Sequence, residues 1–213
     1  MSVLSFAVAV AVLLPEKHNH SSLMSDYLAG VDEVGRGALF GPVVAAAVMV
    51  SPPMLDTLTE LGVKDSKKLS ASRRCQLAKQ IKSLVVDWQI ASATVVQIDK
   101  LNILQASLLA MGKAVCQLKP EPKMCLVDGK FTIPNLPLPQ QALVKGDEQS
   151  LAIAAASILA KVWRDELIVS LAHKYPEYDL AANKGYGTKR HLLAIKKYGI
   201  CSEHRRSFRP CQV

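Results

Sequence analysis

The 213-residue sequence predicts an α/β fold in which helices flank a mixed sheet. Strand-like and helix-like segments alternate from about residue 27 onward, helical patterns cluster late in the chain, and glycine or proline punctuates the joins. Half of the residues are hydrophobic and 21% are charged, which excludes a disordered or low-complexity chain. A chain of this length buries enough surface to fold as one domain without a disulfide or metal staple. No apolar run reaches the ~18 residues of a membrane span, and no internal period points to repeats.

In order, residues 27–32 read as a short strand and 43–50 as a buried one, uncharged and rich in valine. Residues 70–84 carry apolar positions at helical spacing, with Ser70 as N-cap. Residues 85–96 are strand-like and 103–118 form an amphipathic helix. A short apolar strand over 124–127 runs into Asp128-Gly129, and Pro134, Pro137 and Pro139 confine 132–139 to a loop or an edge. Residues 141–144 read as another strand, followed by a long helix over about 148–172, a helix over 188–197 and a polar tail. Upstream, the uncharged run 3–14 has neither a basic residue before it nor a clear cleavage site after it. Residues 1–23 are therefore expected to be a leader ahead of a natural start at Met24, with 24–213 as the single domain.

Lysine and arginine number 26 against 18 acids, a net charge of +8. From Asn183 onward there are eight basic residues and one acid, Glu203, so this terminal block holds +7 of the total. A basic block on a balanced body is the footprint of a polyanion partner, although a solvated surface has the same composition. Aromatics make up only 5%, too few for a base-stacking platform, so any nucleic acid would be gripped by its backbone. The five cysteines form no CxxC pair, which suits reduced thiols in a cytosolic protein better than a disulfide framework or a zinc site.

Several acids sit where the chain turns out of apolar segments: Asp32 and Glu33 before Val34-Gly35, Asp128 before Gly129, and Asp147 at the start of the long helix. Singly, Asp147 reads as an N-cap and Asp128-Gly129 as a turn. Together, hard oxygen ligands on separate strand ends, without histidine or cysteine, are what Mg²⁺ or Mn²⁺ takes. Adjacent strand residues face opposite ways, so Asp32 and Glu33 share an ion only if the strand ends there, which Gly35 and Gly37 allow. Gly35-Arg36-Gly37 with Gly41 matches neither GxGxxG nor a phosphate-binding loop with its lysine; a backbone approaching a sugar-phosphate would also use these glycines, and Arg36 suits phosphate.

The segments 32–37 (Asp32-Glu33-Val34-Gly35-Arg36-Gly37), 65–70, 127–129, 145–147, 154–165, 184–188 and 204–208 resemble, in order and spacing, bacterial ribonuclease HII, over essentially residues 27–208. The resemblance implies the RNase H-like fold, with a five-stranded mixed sheet and a helical C-terminal region. It implies an endonuclease that hydrolyses the RNA strand of RNA–DNA hybrids and nicks duplex DNA 5′ of an embedded ribonucleotide. It maps the metal ligands onto Asp32, Glu33, Asp128 and Asp147, with Asp165 competing for the fourth place although Lys161 offers it an i,i+4 ion pair. It maps recognition of the ribose 2′-hydroxyl onto Gly35, Arg36, Gly37 and Tyr186, while Lys67, Arg205 and Arg206 are expected to reach phosphates. A monomer acting in the cytoplasm on these duplexes, with Mn²⁺ or Mg²⁺, is the expectation. The competing readings are another nuclease or integrase of the same fold and a non-catalytic nucleic-acid-binding module.

Overall fold

The structure, a computed structural model, describes residues 27–63 and 69–212. The expected leader and Lys67 lie outside the described residues. The strands are β1 (Leu28–Val34), β2 (Val43–Val50), β3 (Asp87–Ala93), β4 (Met124–Asp128) and β5 (Gln140–Leu143). They form one sheet in the order β3-β2-β1-β4-β5. The β1–β2 and β2–β3 pairs are antiparallel, whereas β1–β4 and β4–β5 are parallel. β2 is buried at all eight positions, as its uncharged sequence requires of a strand covered on both faces.

The helices are α1 (Pro52–Glu60), α2 (Ala71–Leu84), α3 (Val95–Leu101), α4 (Ile103–Val115), α5 (Leu151–Leu171), α6 (Leu180–Asn183) and α7 (Lys189–Tyr198). One core lies between the sheet and α4, built from residues such as Val31, Met49, Met111 and Val127. The other packs α1, α2 and α5 on the opposite face, around Val48, Leu58, Leu77 and Ile158. Small residues bring α5 unusually near: Ala152 and Ala154 to Ala156 are buried, and a Cβ on Gly30 of β1 would lie 2.3 Å from the Ala152 carbonyl carbon. A third cluster, with Phe40, Ile168, Tyr178 and Ile195, seats the C-terminal region. Among the described residues no helix is long and apolar enough to cross a membrane.

Three elements differ from the sequence reading. The strand expected over 85–96 ends at Ala93, because Thr94 and Gln97 close a capping box that starts α3 at Val95 despite its β-branched residues. Helix α1 follows Ser51 with Pro52 and Pro53 in its first turn, where proline costs no hydrogen bond. The long helix begins at Leu151 with Ser150 as its N-cap. Asp147 instead lies in a separate 3₁₀ turn, Gly146–Glu148, so it is not the cap of α5.

Candidate active site

The last parallel pair between β1 and β4 is Val31 with Val127. One residue further on each strand stands a carboxylate, Asp32 and Asp128, at the carboxyl edge where open α/β sheets place their ligands. Asp32, Glu33 and Asp128 each place a carboxylate oxygen within 4.8 Å of the others. β1 does not end at Asp32 as the pleat argument requires: it stays paired with β2 through Val34. On the β4 side its pairing stops at Val31, which leaves the longer Glu33 side chain room to turn toward the two aspartates.

The cluster is held from several sides. The Glu33 amide donates to Asp32 Oδ1 at 2.7 Å, and the Ser157 hydroxyl of α5 hydrogen-bonds the same carboxylate. Arg36 Nη1 lies 3.1 Å from Glu33 Oε1. The Gly146 amide donates to Asp128 Oδ1 at 2.7 Å, fastening the end of β4 to the 3₁₀ turn that carries Asp147. A side chain on Gly146 would meet Ile153 Cδ1 at 2.5 Å and Asp128 Oδ1 at 3.2 Å, so glycine lets the turn sit against the strand end without displacing either.

Burial, then the charges of Glu33 and Asp128, push the Asp32 carboxyl well above the usual carboxylate range. Burial also raises Glu33, against the pull of Arg36. One buried and two half-buried carboxylates beside an exposed arginine concentrate negative charge, and an all-oxygen donor set fits a divalent cation of the Mg²⁺ or Mn²⁺ type.

Asp147 is buried, 8% exposed, on the adjacent turn, but it is not among the carboxylates that come within 4.8 Å of one another. Asp165 accepts from Lys161 Nζ at 2.7 Å along α5 and stands outside the cluster. Gly35 has φ +90°, and the loop that follows it bridges back from Ala38 to Tyr186. Arg36 and Gly37 are exposed, and half-buried Tyr186 lies beside them with Lys161 Nζ 5.7 Å from its ring centroid. Arg206 is exposed, with its amide donating to Asp99.

Arg205 corrects the sequence reading. It is fully buried, and its guanidinium donates to the Gly41 and Arg36 carbonyls at 3.0 and 2.9 Å, so it cannot meet a phosphate at the surface. Ser157 and Arg164 were not singled out from the sequence. The available signal was periodicity: both fall on the buried stripe of α5 with Ile153, Ala160 and Ile168, where polar side chains need a partner.

Carboxylates gathered at the carboxyl ends of neighbouring strands, beside a loop suited to a sugar-phosphate, place the protein among metal-dependent nucleases of the RNase H-like fold. Comparison with known proteins narrows this class. The family model of Ribonuclease HII matches residues 29–211, and the chain belongs to that family. It is 60% identical over 192 residues to a ribonuclease HII of Trichormus variabilis, covering 90% of this chain and 85% of the relative. A ribonuclease HII of Trichodesmium erythraeum is 58% identical over 202 residues, covering 92% and 96%. Among solved structures, the ribonuclease H2 of Pyrococcus horikoshii superposes with a TM-score of 0.74 at 28% identity, over 87% of this chain and 95% of that one. The protein is thus a ribonuclease H, a metal-dependent endonuclease.

Proposed function

We propose that this enzyme hydrolyses the RNA strand of RNA–DNA hybrids and nicks duplex DNA on the 5′ side of an embedded ribonucleotide, leaving 3′-hydroxyl and 5′-phosphate ends. The observation that carries the reading is the convergence of Asp32, Glu33 and Asp128 at the carboxyl ends of β1 and β4. These three residues, with Asp147 on the adjoining turn, would hold divalent ions, Mg²⁺ or Mn²⁺. Held by these residues, such ions would supply Lewis-acid chemistry: activation of a water and stabilisation of charge on the departing 3′-oxygen. The residues themselves provide a buried, anionic cradle whose repulsion is relieved on loading. Arg36 and Gly37 offer exposed backbone and one guanidinium to the sugar-phosphate, with Gly35 shaping the turn behind them, and Tyr186 borders the position of the ribose. The 2′-hydroxyl is the group that separates a ribonucleotide from its DNA neighbours, so selection belongs to this loop pair. Arg206 and the basic face of α7 grip phosphates without reading bases. Residues 24–213 act as one catalytic unit, as a monomer in the cytoplasm.

The test is a pair of duplexes identical except for one ribonucleotide, incubated with Mg²⁺ or Mn²⁺. Cleavage of the ribonucleotide duplex alone, 5′ of the ribose, is expected. Asp128→Asn should lower it by at least a hundredfold. Equal cleavage of both duplexes would instead mark a DNA nuclease of the same fold, and metal-independent binding without cleavage would mark a non-catalytic module.

A further inference from the structure

Two fully buried arginines stand behind the recognition loops. Arg164 of α5 donates Nε to the Pro42 carbonyl at 3.1 Å, Nη1 to Lys184 at 2.9 Å and Nη2 to Phe40 at 2.9 Å. Arg205, from the C-terminal region, holds the Gly41 and Arg36 carbonyls, and its Nη2 is buried without a partner. Five carbonyls, four of them between residues 36 and 42 and the fifth at Lys184 beside Tyr186, are thus fixed by two side chains. The fit extends to the loop's first glycine and to the tyrosine. A Cβ on Gly35 would lie 2.2 Å from Arg164 Nε, and the Arg164 guanidinium carbon is 5.5 Å from the Tyr186 ring centroid.

Neither guanidinium has a carboxylate within ion-pair distance among the described residues. Burial pulls both below the usual arginine range, and Arg164 adds to the effect on Arg205. Apolar side chains of similar volume would leave those five carbonyls without donors, so the two like charges are held here by the backbone acceptors they satisfy. A guanidinium does what an alkyl chain cannot: its planar fork sets the directions of several acceptors at once. Its charge also lies beneath the loop along which a phosphodiester would run.

We propose that Arg164 and Arg205 are positioning residues for ribonucleotide selection, locking the backbone of residues 35–42 against Tyr186 so that the 2′-hydroxyl meets one fixed geometry. The inference rests on the reading of that loop pair as the 2′-hydroxyl site.

Arg164→Lys and Arg205→Lys keep the charge and lose the fork. In the full chain, binding of the ribonucleotide duplex and its all-DNA twin is measured by fluorescence anisotropy in EDTA at low salt. Steady-state cleavage with Mg²⁺ is measured alongside. The parent is expected to favour the ribonucleotide duplex several-fold, and each lysine variant to lose at least two thirds of that preference. Leu58→Ala, a cavity in the core under α1, serves as the control: it should lower the melting temperature and leave the preference intact. Should a lysine variant fail to fold, Gly35→Ala, which drives a methyl group into the Arg164 guanidinium, should show the same loss. Lysine variants that melt lower but keep the parent's preference and kcat/KM would overturn the proposal. A parent without any preference would overturn the 2′-hydroxyl reading and this inference with it.

Discussion

Replacing Asp32 by asparagine removes one charge from the cluster while keeping an oxygen to accept from the Glu33 amide. With the three carboxylates within 4.8 Å of one another, each pair of full charges repels by about 3.5 kcal/mol at an effective dielectric near 20. The substitution removes two of the three pairings. The realised gain is smaller, because the raised Asp32 takes up a proton in preference to full repulsion and Arg36 offsets Glu33. A gain of about 1–3 kcal/mol, at roughly 2–4 °C per kcal/mol for a chain of this size, raises the melting temperature in EDTA by about 2–12 °C. The sign with pH follows. The folded protein holds the Asp32 and Glu33 protons more tightly than the unfolded chain does, so metal-free stability falls as pH rises through their raised values, and Asp32→Asn should flatten that slope. The assay is calorimetry in EDTA from pH 5 to 8, then a Mg²⁺ titration, which should stabilise the parent more than the variant. An Asp32→Asn protein that melts several degrees below the parent in EDTA, or gains equally from Mg²⁺, refutes the reasoning.

Gly30→Ala would place a methyl group 2.3 Å from the Ala152 backbone and 2.4 Å from the Ile153 nitrogen, forcing α5 off the sheet. Urea denaturation should show a loss of at least about 3 kcal/mol, and a change under about 0.5 kcal/mol would mean that the helix shifts freely. The buried His191 and His204 meet through their Nε2 atoms at 3.1 Å, and burial, with His191 adding to it, holds His204 down to about 4. Stability from this group is complete above the ordinary value near 6.5 and is lost as pH falls toward 4, amounting to about 3 kcal/mol. His204→Gln should abolish that share of the acid loss in melting curves from pH 7 to 4; an unchanged difference from the parent across that range would contradict it.

The main strands were legible because their chemistry is local. β2 is an uninterrupted apolar run, β4 ends at a carboxylate after apolar residues, and the acids of β1 follow an apolar stretch one step short of its end. The three acids that meet were therefore visible as candidates, but their contact was not, since it depends on the pairing of strands almost a hundred residues apart. Helix α3 was hidden because Val95 and Val96 favour a strand while a side-chain cap decides for a helix. Helix α1 was hidden because its prolines read as punctuation, although both sit in the first turn. Arg205 was misread for a different reason: a run of basic residues looks uniformly solvated, and only tertiary packing distinguishes a buried Arg205 from an exposed Arg206.

The parallel alignment of Val31 with Val127 makes the enzyme sensitive to length in a local way. Asp32 and Asp128 face the same side because each follows that pair by one step, and a strand alternates its faces at every step. A single codon lost or gained inside β4 would turn Asp128 to the opposite side of the sheet and leave a folded, inert protein. The same change at Pro134 or Asn135, which are exposed in the crossover between β4 and β5 beyond the buried Ile133, is absorbed by the loop. Indels in descendants of this gene should therefore accumulate in that crossover and be purged from the five residues before it.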